Sequence, residues 1–202
     1  MTALENALTF YRETNFKETP IGKIPKDWEV VKFENIATFI KGKKPRKTSE
    51  ECEEGYLPYL STEYLRANEK PKFAEISSDI VLVNDGDLIL LWDGSNAGEF
   101  FIGKKGILSS TMVKIQLTKR DIFRLFFFYL LKTRERYLSE LTRGTGIPHV
   151  DKNVVNNLLF PVPSFSEQQK IAEILSTVDE AIQKTNEIIA KTERLKKGLM
   201  QE

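Results

Sequence analysis

"SEQQKIAEILSTVDEAIQKTNEIIAKTERLKKGLMQE" occupies residues 166–202 and decides how the rest of the chain is read. No glycine or proline interrupts it before Gly198. Ser166 and Gln169 have capping-box spacing, and Glu167 puts a negative charge in the first turn, where the helix dipole favours it. Ile171, Leu175, Val178, Ile182, Ile189 and Leu199 recur by fours and threes, with Thr185, Thr192 and Lys196 completing the register. That is a heptad seam with polar flaws. Two apolar positions in seven make a narrow stripe for a helix lying on its own domain. The stretch therefore predicts one helix, about 50 Å long at 1.5 Å per residue, that projects and pairs with another helix.

Upstream, "LLFPVP" reads as an extended strap, and Asp151 as the cap of a short helix, "DKNVVNNL". Residues 121–141 predict a helix with Asp121 as N-cap. Apolar residues from Ile122 to Leu131 surround nearly its whole circumference, so its first half is buried, and Arg143–Gly144 stops it. The middle of the chain reads as β. "YLPYLS", "DLILLW" (Asp87–Trp92), "EFFIG" and the alternating Thr111–Leu117 are short strands separated by the turns "NDGD", "DGSNAG" and "KKG". Phe33, Ile36, Ala37 and Ile40 fall at helical spacing, with Gly42 ending that turn. "ETPIGKIPKDW" is an extended lead-in. The sum is an α+β chain: a β-rich domain with a buried helix over residues 1–163, led in by residues 1–27, then a long projecting coiled-coil helix over 164–202.

Composition sets the class. A chain of 202 residues, 41% hydrophobic, suffices for one globular domain and an appendage. A single cysteine, Cys52, excludes an internal disulfide and fits a reducing compartment. Glu5, Arg12 and Glu13 break up the N-terminal apolar residues, and the longest apolar run, Leu125–Leu131, is too short to span a bilayer. A cytoplasmic protein with no membrane association is expected. The net charge of +1 hides an uneven distribution. Residues 41–47 carry five basic residues and no acid, and residues 114–143 carry eight basic against three acidic. Patches rather than totals hold phosphate, although each cluster could equally be a solvated face.

The marks of an enzyme are missing. One His and one Cys cannot make a zinc site. There is no Gly-rich phosphate loop. No acid stands two positions before a lysine, so the carboxylate–lysine arrangement of metal-dependent nucleases is absent, and so is the Asn-Pro-Pro-aromatic signature of amino-methyltransferases. His149, beside Pro148 in a loop, is more readily a hydrogen-bonding residue than a base. The chain reads as a binding module with no catalytic residue and no metal site.

An ordered set of pieces resembles the specificity subunits of type I restriction–modification systems. These are "TPIGKIPKDWEVVKFENIA", "NDGDLILLWDGSNAG", "KGILSSTMVKIQL", "GTGIPHV", "LFPVPSFSEQQKIAEILSTVDEAI" and "KKGLMQ", together spanning roughly residues 17–202. The resemblance implies a target recognition domain that reads double-stranded DNA, joined to a conserved spacer helix. It implies modification subunits that transfer a methyl group from S-adenosylmethionine to adenine, and a restriction subunit that cleaves, so no cofactor is expected in this chain. The family usually has two recognition domains and two antiparallel helices, each domain reading half of a split target. This sequence has one of each. Either it is a half-size subunit that dimerises, or it is a fragment ending after the first spacer.

In a two-fold antiparallel pairing the seam maps onto itself about Thr185. Ile171 then opposes Leu199, Leu175 opposes Leu195 or Lys196, Val178 opposes Thr192, and Ile182 opposes Ile189. A 50 Å rod corresponds to roughly fifteen base pairs at 3.4 Å each. Lys41, Lys43, Lys44, Arg46, Lys47, Lys104, Lys105 and Arg143 are candidate phosphate contacts. Trp92, Asn96, Ser109, Ser110 and Thr145 are candidate base readers. Trp92 reads more readily as a strand-end core residue, and Ser109 and Ser110 read equally as turn residues. The rival from another class is a protein-interaction scaffold whose coil binds a partner and which never touches DNA.

Overall fold

In the computed structural model, which describes residues 15–67, 69–142 and 148–200, the β-rich middle of the chain becomes two sheets. β1 (Phe16–Thr19) and β2 (Gly22–Pro25) form a lead-in hairpin, and β3 (Glu29–Lys32) leads into a 3-10 turn at Phe33–Asn35. β4 (Ala37–Lys41), β5 (Thr48–Ser49), β6 (Tyr56–Leu60), α1 (Thr62–Ala67), β7 (Phe73–Glu75), β8 (Leu82–Val83), β9 (Leu88–Leu91), β10 (Phe100–Ile102), β11 (Gly106–Leu108) and β12 (Met112–Leu117) follow. The chain closes with α2 (Arg124–Lys132), α3 (Glu135–Thr142), α4 (Lys152–Asn156), β13 (Leu159–Val162) and α5 (Phe165–Leu199). One sheet has the order β10-β9-β12-β4 and the other β5-β7-β6-β11-β8, while β13 pairs with β3.

All four residues of β9 are buried, and its period-2 alternation divides them between two cores. Leu88 and Leu90 pack with Phe127, Leu131, Leu138, Val155 and Phe160 from the helical side. Ile89 and Leu91 pack with Leu60, Val83 and Leu108 of the second sheet. The four-stranded sheet is thus the middle of three layers, which is why "DLILLW" is continuously apolar rather than alternating.

Three local expectations need correction. Phe33, Ile36, Ala37 and Ile40 do not lie on one helix: Phe33 and Ile36 are buried by the 3-10 turn, and Ala37–Lys41 is a strand antiparallel to β12. A turn running into a strand imitates helical spacing over so short a window. Gly42 ends a strand rather than a helix. A Cβ there would lie 2.0 Å from the carbonyl oxygen of Ser109, so the close approach of the two backbones requires glycine. The helix expected over residues 121–141 is two helices. Its break at Thr133–Arg134 lets Arg134 Nη2 donate to Leu159 O and Glu135 accept from Phe100 N–H. Asp121 does not cap it: the N-cap is Phe123, which makes no side-chain cap of its own.

That cap comes from the long helix. α5 begins two residues earlier than expected, at a box in which the Ser164 hydroxyl and backbone N–H both donate to Glu167 Oε2, at 2.6 and 3.1 Å. One turn on, Gln168 is 1% exposed. Its Oε1 accepts from Phe123 N–H at 2.8 Å, and its Nε2 donates to Asp121 O at 2.9 Å and Pro163 O at 3.0 Å. A buried side chain amide can hold three backbone groups only if every partner is fixed. Phe165 stacks edge-on against Phe123, Ala172 is fully buried, and the Tyr129 hydroxyl donates to Asp179 Oδ2 at 2.8 Å. Every described residue from Thr177 onward is exposed. The helix is therefore docked along its first four turns, and about 30 Å of it, from residue 180 on, carries no packing against the domain.

Gln168→Ala is expected to remove three hydrogen bonds to the backbone at this joint and lower the unfolding free energy by about 2–4 kcal/mol, read as a lower urea midpoint at unchanged slope. Burial, the Asp179 hydrogen bond and the neighbouring Asp179 and Glu180 charges push the Tyr129 phenol up to about 12. A raised phenol stabilises the docked joint below its unfolded value of 10.0 and loses that contribution as pH rises through about 12. Ultraviolet titration should show a late phenol that is missing in Tyr129→Phe and moved to lower pH in Asp179→Asn.

Candidate nucleic-acid interface

Sheet pairing brings three loops to one end of the middle layer. Lys41 at the end of β4 faces Val113, and Leu91 at the end of β9 faces Met112. Gly42 N–H donates to Met112 O at 3.0 Å, and the N–H groups of Trp92 and Asp93 both donate to Thr111 O, at 2.8 and 3.0 Å. Gly94 N–H to Pro148 O and Val150 N–H to Trp92 O bring in residues 148–150. The rim of this end is thus the basic loop 41–47, the turn 93–98, the turn 109–111 and residues 148–150.

Of the residues singled out in the sequence, Lys41, Trp92, Ser109 and Ser110 meet here, with Asn96 exposed on the 93–98 turn. Lys104 and Lys105 lie at the opposite end. Gly103 N–H bonds Asp87 O, at the start of β9, and Lys104 sits 4.6 Å above the Tyr64 ring. Arg143 and Thr145 fall outside the described residues. Trp92 belongs to the core. It is 7% exposed, packs edge-on against Phe39 and commits its one polar atom to His149, which leaves no ring face for a base. Ser109 is buried too, with its hydroxyl between Thr111 Oγ1 and the Tyr59 hydroxyl. The half-buried Ser110 donates its backbone N–H to the same Tyr59 hydroxyl.

Ion pairs thin out the basic loop. Arg46 lies 3.8 Å from Asp79, and Lys47 lies 3.6 Å from Glu75. A hydrogen bond from Ser77, together with Arg46 and Lys43, holds the Asp79 carboxyl below its ordinary value. Lys43 and Lys44 are exposed and form no ion pair among the described residues.

Sequence reasoning missed Asp93, which organises the rim. Its Oδ2 accepts from Lys41 Nζ at 2.5 Å, and its Oδ1 faces His149 Nδ1 at 2.5 Å. The other imidazole nitrogen, Nε2, accepts from the Trp92 indole N–H at 3.1 Å. With an indole donor on Nε2, the ring carries its proton on Nδ1. Both nitrogens are therefore engaged, and neither is free to take a proton from a substrate. Burial works against the Asp93 charge, but the hydrogen bonds from Lys41 and His149 and the charge of Lys41 outweigh it and hold the carboxyl below the ordinary aspartate value. The only sequence signal for this cluster was an acid at a strand end. Its partners lie 52 and 56 residues away along the chain. Among the described residues no group of three or more His, Cys, Asp or Glu is placed to hold a metal ion, and no helix is long and apolar enough to cross a membrane.

Residues 25–194 match the type I restriction modification DNA specificity domain. The MjaVIII type I restriction enzyme specificity subunit of Methanocaldococcus jannaschii is 50% identical over 193 residues, which is 96% of this chain and 45% of that protein. The EcoDI specificity subunit of Escherichia coli is 25% identical over 81% of this chain and 34% of its own length. Two solved structures share the fold. The HsdS subunit from Thermoanaerobacter tengcongensis has a TM-score of 0.60 at 16% identity, over 83% of this chain and 41% of that one. A chain from a type I restriction–modification assembly has a TM-score of 0.68 at 17% identity, over 94% of this chain and 46% of that one. The chain spans about half the length of the curated relatives it matches.

A depressed carboxyl stabilises the fold above its unfolded value of 3.8 and loses that contribution as pH falls through the lower folded value. Asp93→Asn should therefore cost about 1 kcal/mol near neutral pH, a modest figure because Lys41 and His149 are half exposed. In urea unfolding, the gap to the wild type should close well below pH 3.8.

Proposed function

The chain belongs to the type I restriction–modification DNA specificity family, and from that premise we propose that it is a non-catalytic DNA reader. It reads one half of a split target with the domain ending at Pro163 and holds that domain on the spacer helix that starts at the Ser164 cap. Modification subunits, carrying S-adenosylmethionine, methylate adenine at the chosen site, and a restriction subunit cleaves, in the cytoplasm. The chain's own contribution is placement: Lys43 and Lys44 for phosphate, and the exposed turn around Asn96 for base edges.

The observation that carries the dimeric form of this reading is the apolar stripe left open on α5. Leu175, Val178, Ile182, Ile189 and Leu199 are between 38% and 68% exposed. Ile174, Ile188 and Leu195, at 55%, 64% and 64%, flank them on one side, so the stripe is wider than two in seven. The flank formed by residues 174, 181, 188 and 195 is apolar throughout, whereas the opposite flank holds Ala172, Asp179, Asn186 and Glu193. In a parallel pair each flank meets the other kind, placing Ile174 near Asp179. In an antiparallel pair each flank meets itself. Charge favours the same orientation. Residues 165–182 carry four acids and one base, and residues 183–199 carry five bases and two acids. Antiparallel helices bring opposite halves together.

A second reading, the protein-interaction scaffold, draws on the pairing of Lys41, Arg46 and Lys47 with acids, which leaves the loop less basic than its sequence. Duplex affinity decides between them: a reader loses affinity steeply with salt, and a scaffold has none to lose.

Light scattering of the full chain at micromolar concentration, with duplex present, is expected to give a dimer. The double variant Ile182→Asp, Ile189→Asp should give a monomer with unchanged helical circular dichroism and at least tenfold weaker binding to an inverted repeat. A monomeric wild type overturns the dimer. Mapping methylated adenines in cells carrying the neighbouring genes should return an inverted repeat with a fixed gap.

A further inference from the structure

Asp93 stands where a phosphate would be welcome. On the described rim it is the acid that meets Lys41, and its two oxygens are taken one each by a lysine ammonium and an imidazole N–H. A phosphodiester offers the same thing: two non-bridging oxygens, one negative charge, and a liking for charge-assisted donors. The cluster is within reach of solvent. The side chains of Lys41, His149 and Asp93 are 44%, 58% and 32% exposed. Lys43 and Lys44, next along the loop, carry no such partner among the described residues, so one rim holds both masked and unmasked cations.

We infer that Asp93 is a specificity-determining residue that acts as a built-in phosphate mimic, occupying Lys41 and His149 so that the rim grips DNA of arbitrary sequence weakly. The inference rests on the DNA-reading proposal. Non-specific binding scales with the number of cations free to displace counterions. A lysine already neutralised at 2.5 Å contributes little to that number. Selectivity depends on the ratio of specific to non-specific affinity, so muting one cation sharpens the readout without any added base contact. Trp92 fixes the arrangement from behind: its indole N–H holds the ring so that Nδ1 faces Asp93. The other charges near His149 are Lys41, on β4, and Asp151, which caps α4 and lines the same hollow.

The test uses the full chain and a fluorescent random-sequence duplex, titrated across a salt series. Asp93→Asn is expected to bind this duplex several-fold more tightly at low salt. Its slope of log affinity against log salt should steepen by about one unit, the value for one more engaged cation. Lys41→Gln should leave the wild-type slope nearly unchanged but cancel the gain when combined with Asp93→Asn. The mimic is overturned if Asp93→Asn, shown folded by circular dichroism, keeps the wild-type slope. It is equally overturned if Lys41→Gln alone flattens the wild-type slope by a full unit, because Lys41 would then already hold phosphate. A wild type with no salt-dependent duplex binding overturns the DNA reading itself, and that result is read before any variant is made.

Discussion

One buried amide ties the two halves of this chain together. Gln168 reaches out of α5 to hold Phe123 N–H, Asp121 O and Pro163 O at once. Each of these bonds is worth about 1 kcal/mol net, and leaving a buried partner unpaired costs more. The amide therefore sets geometry more than it adds stability. It fixes where α2 begins, since Phe123 has no cap of its own, and it fixes the angle at which the strap hands over to the rod. In the proposed reader, a helix that sets the distance between two domains must leave its own domain at one angle. The Ser164–Glu167 box, the Phe165–Phe123 contact and the Tyr129–Asp179 bond keep the first four turns from pivoting about that point.

The parts of the fold that could be read in the sequence are those in which local pattern and tertiary role agree. Residues 112–117 alternate because one strand face is more buried than the other, and α5 runs uninterrupted because nothing in it breaks a helix. The short α4 starts at Asp151, whose side chain accepts from Asn153 N–H as a cap should. Where tertiary contacts decide, the local pattern misled. No glycine or proline marks the break between α2 and α3. It exists because Arg134 and Glu135 find backbone partners on β13 and β10, far off in sequence. The cap of α5 falls on Ser164 and not on Ser166, because two serines compete for it and only Ser164 has Glu167 at the third helical position.

The candidate interface was less legible for a related reason. Counting basic residues between Lys41 and Lys47 gives a charge, but the field a phosphate meets depends on which acids fold back onto them. Glu75 comes from the end of β7, Asp79 from the connection after it and Asp93 from the turn after β9, and each removes part of that charge. The same convergence withdraws Trp92, at the end of a middle-layer strand covered from both sides, and Ser109, just past β11 of the second sheet, from the surface. What stays exposed is short and polar, and carried on turns. Such positions can change without disturbing either core, which suits a domain whose target must be free to vary.

Docking also changes what the rod can measure in the proposed dimer. The face of α5 that meets the domain carries Phe165, Gln168, Ala172 and Asp179; Phe165, Ala172 and Asp179 recur every seven residues along one flank of the open apolar stripe, and Gln168 stands one heptad before Leu175. The domain covers this flank over the first four turns, while the neighbouring seam residues Leu175 and Val178 stay exposed to a second helix. Ala172 and Asp179 lie on the flank that faces itself across an antiparallel pair. The two-fold axis passes through that flank, so both domains sit on the same side of the rod. Ala172 is 13 residues from the centre at Thr185, so the two docking points lie roughly 40 Å apart rather than the full 50 Å of helix. That is close to one turn of duplex DNA, 34–36 Å. Two readers on one side of a rod and about a turn apart meet the same face of the double helix, and a single straight duplex can satisfy both.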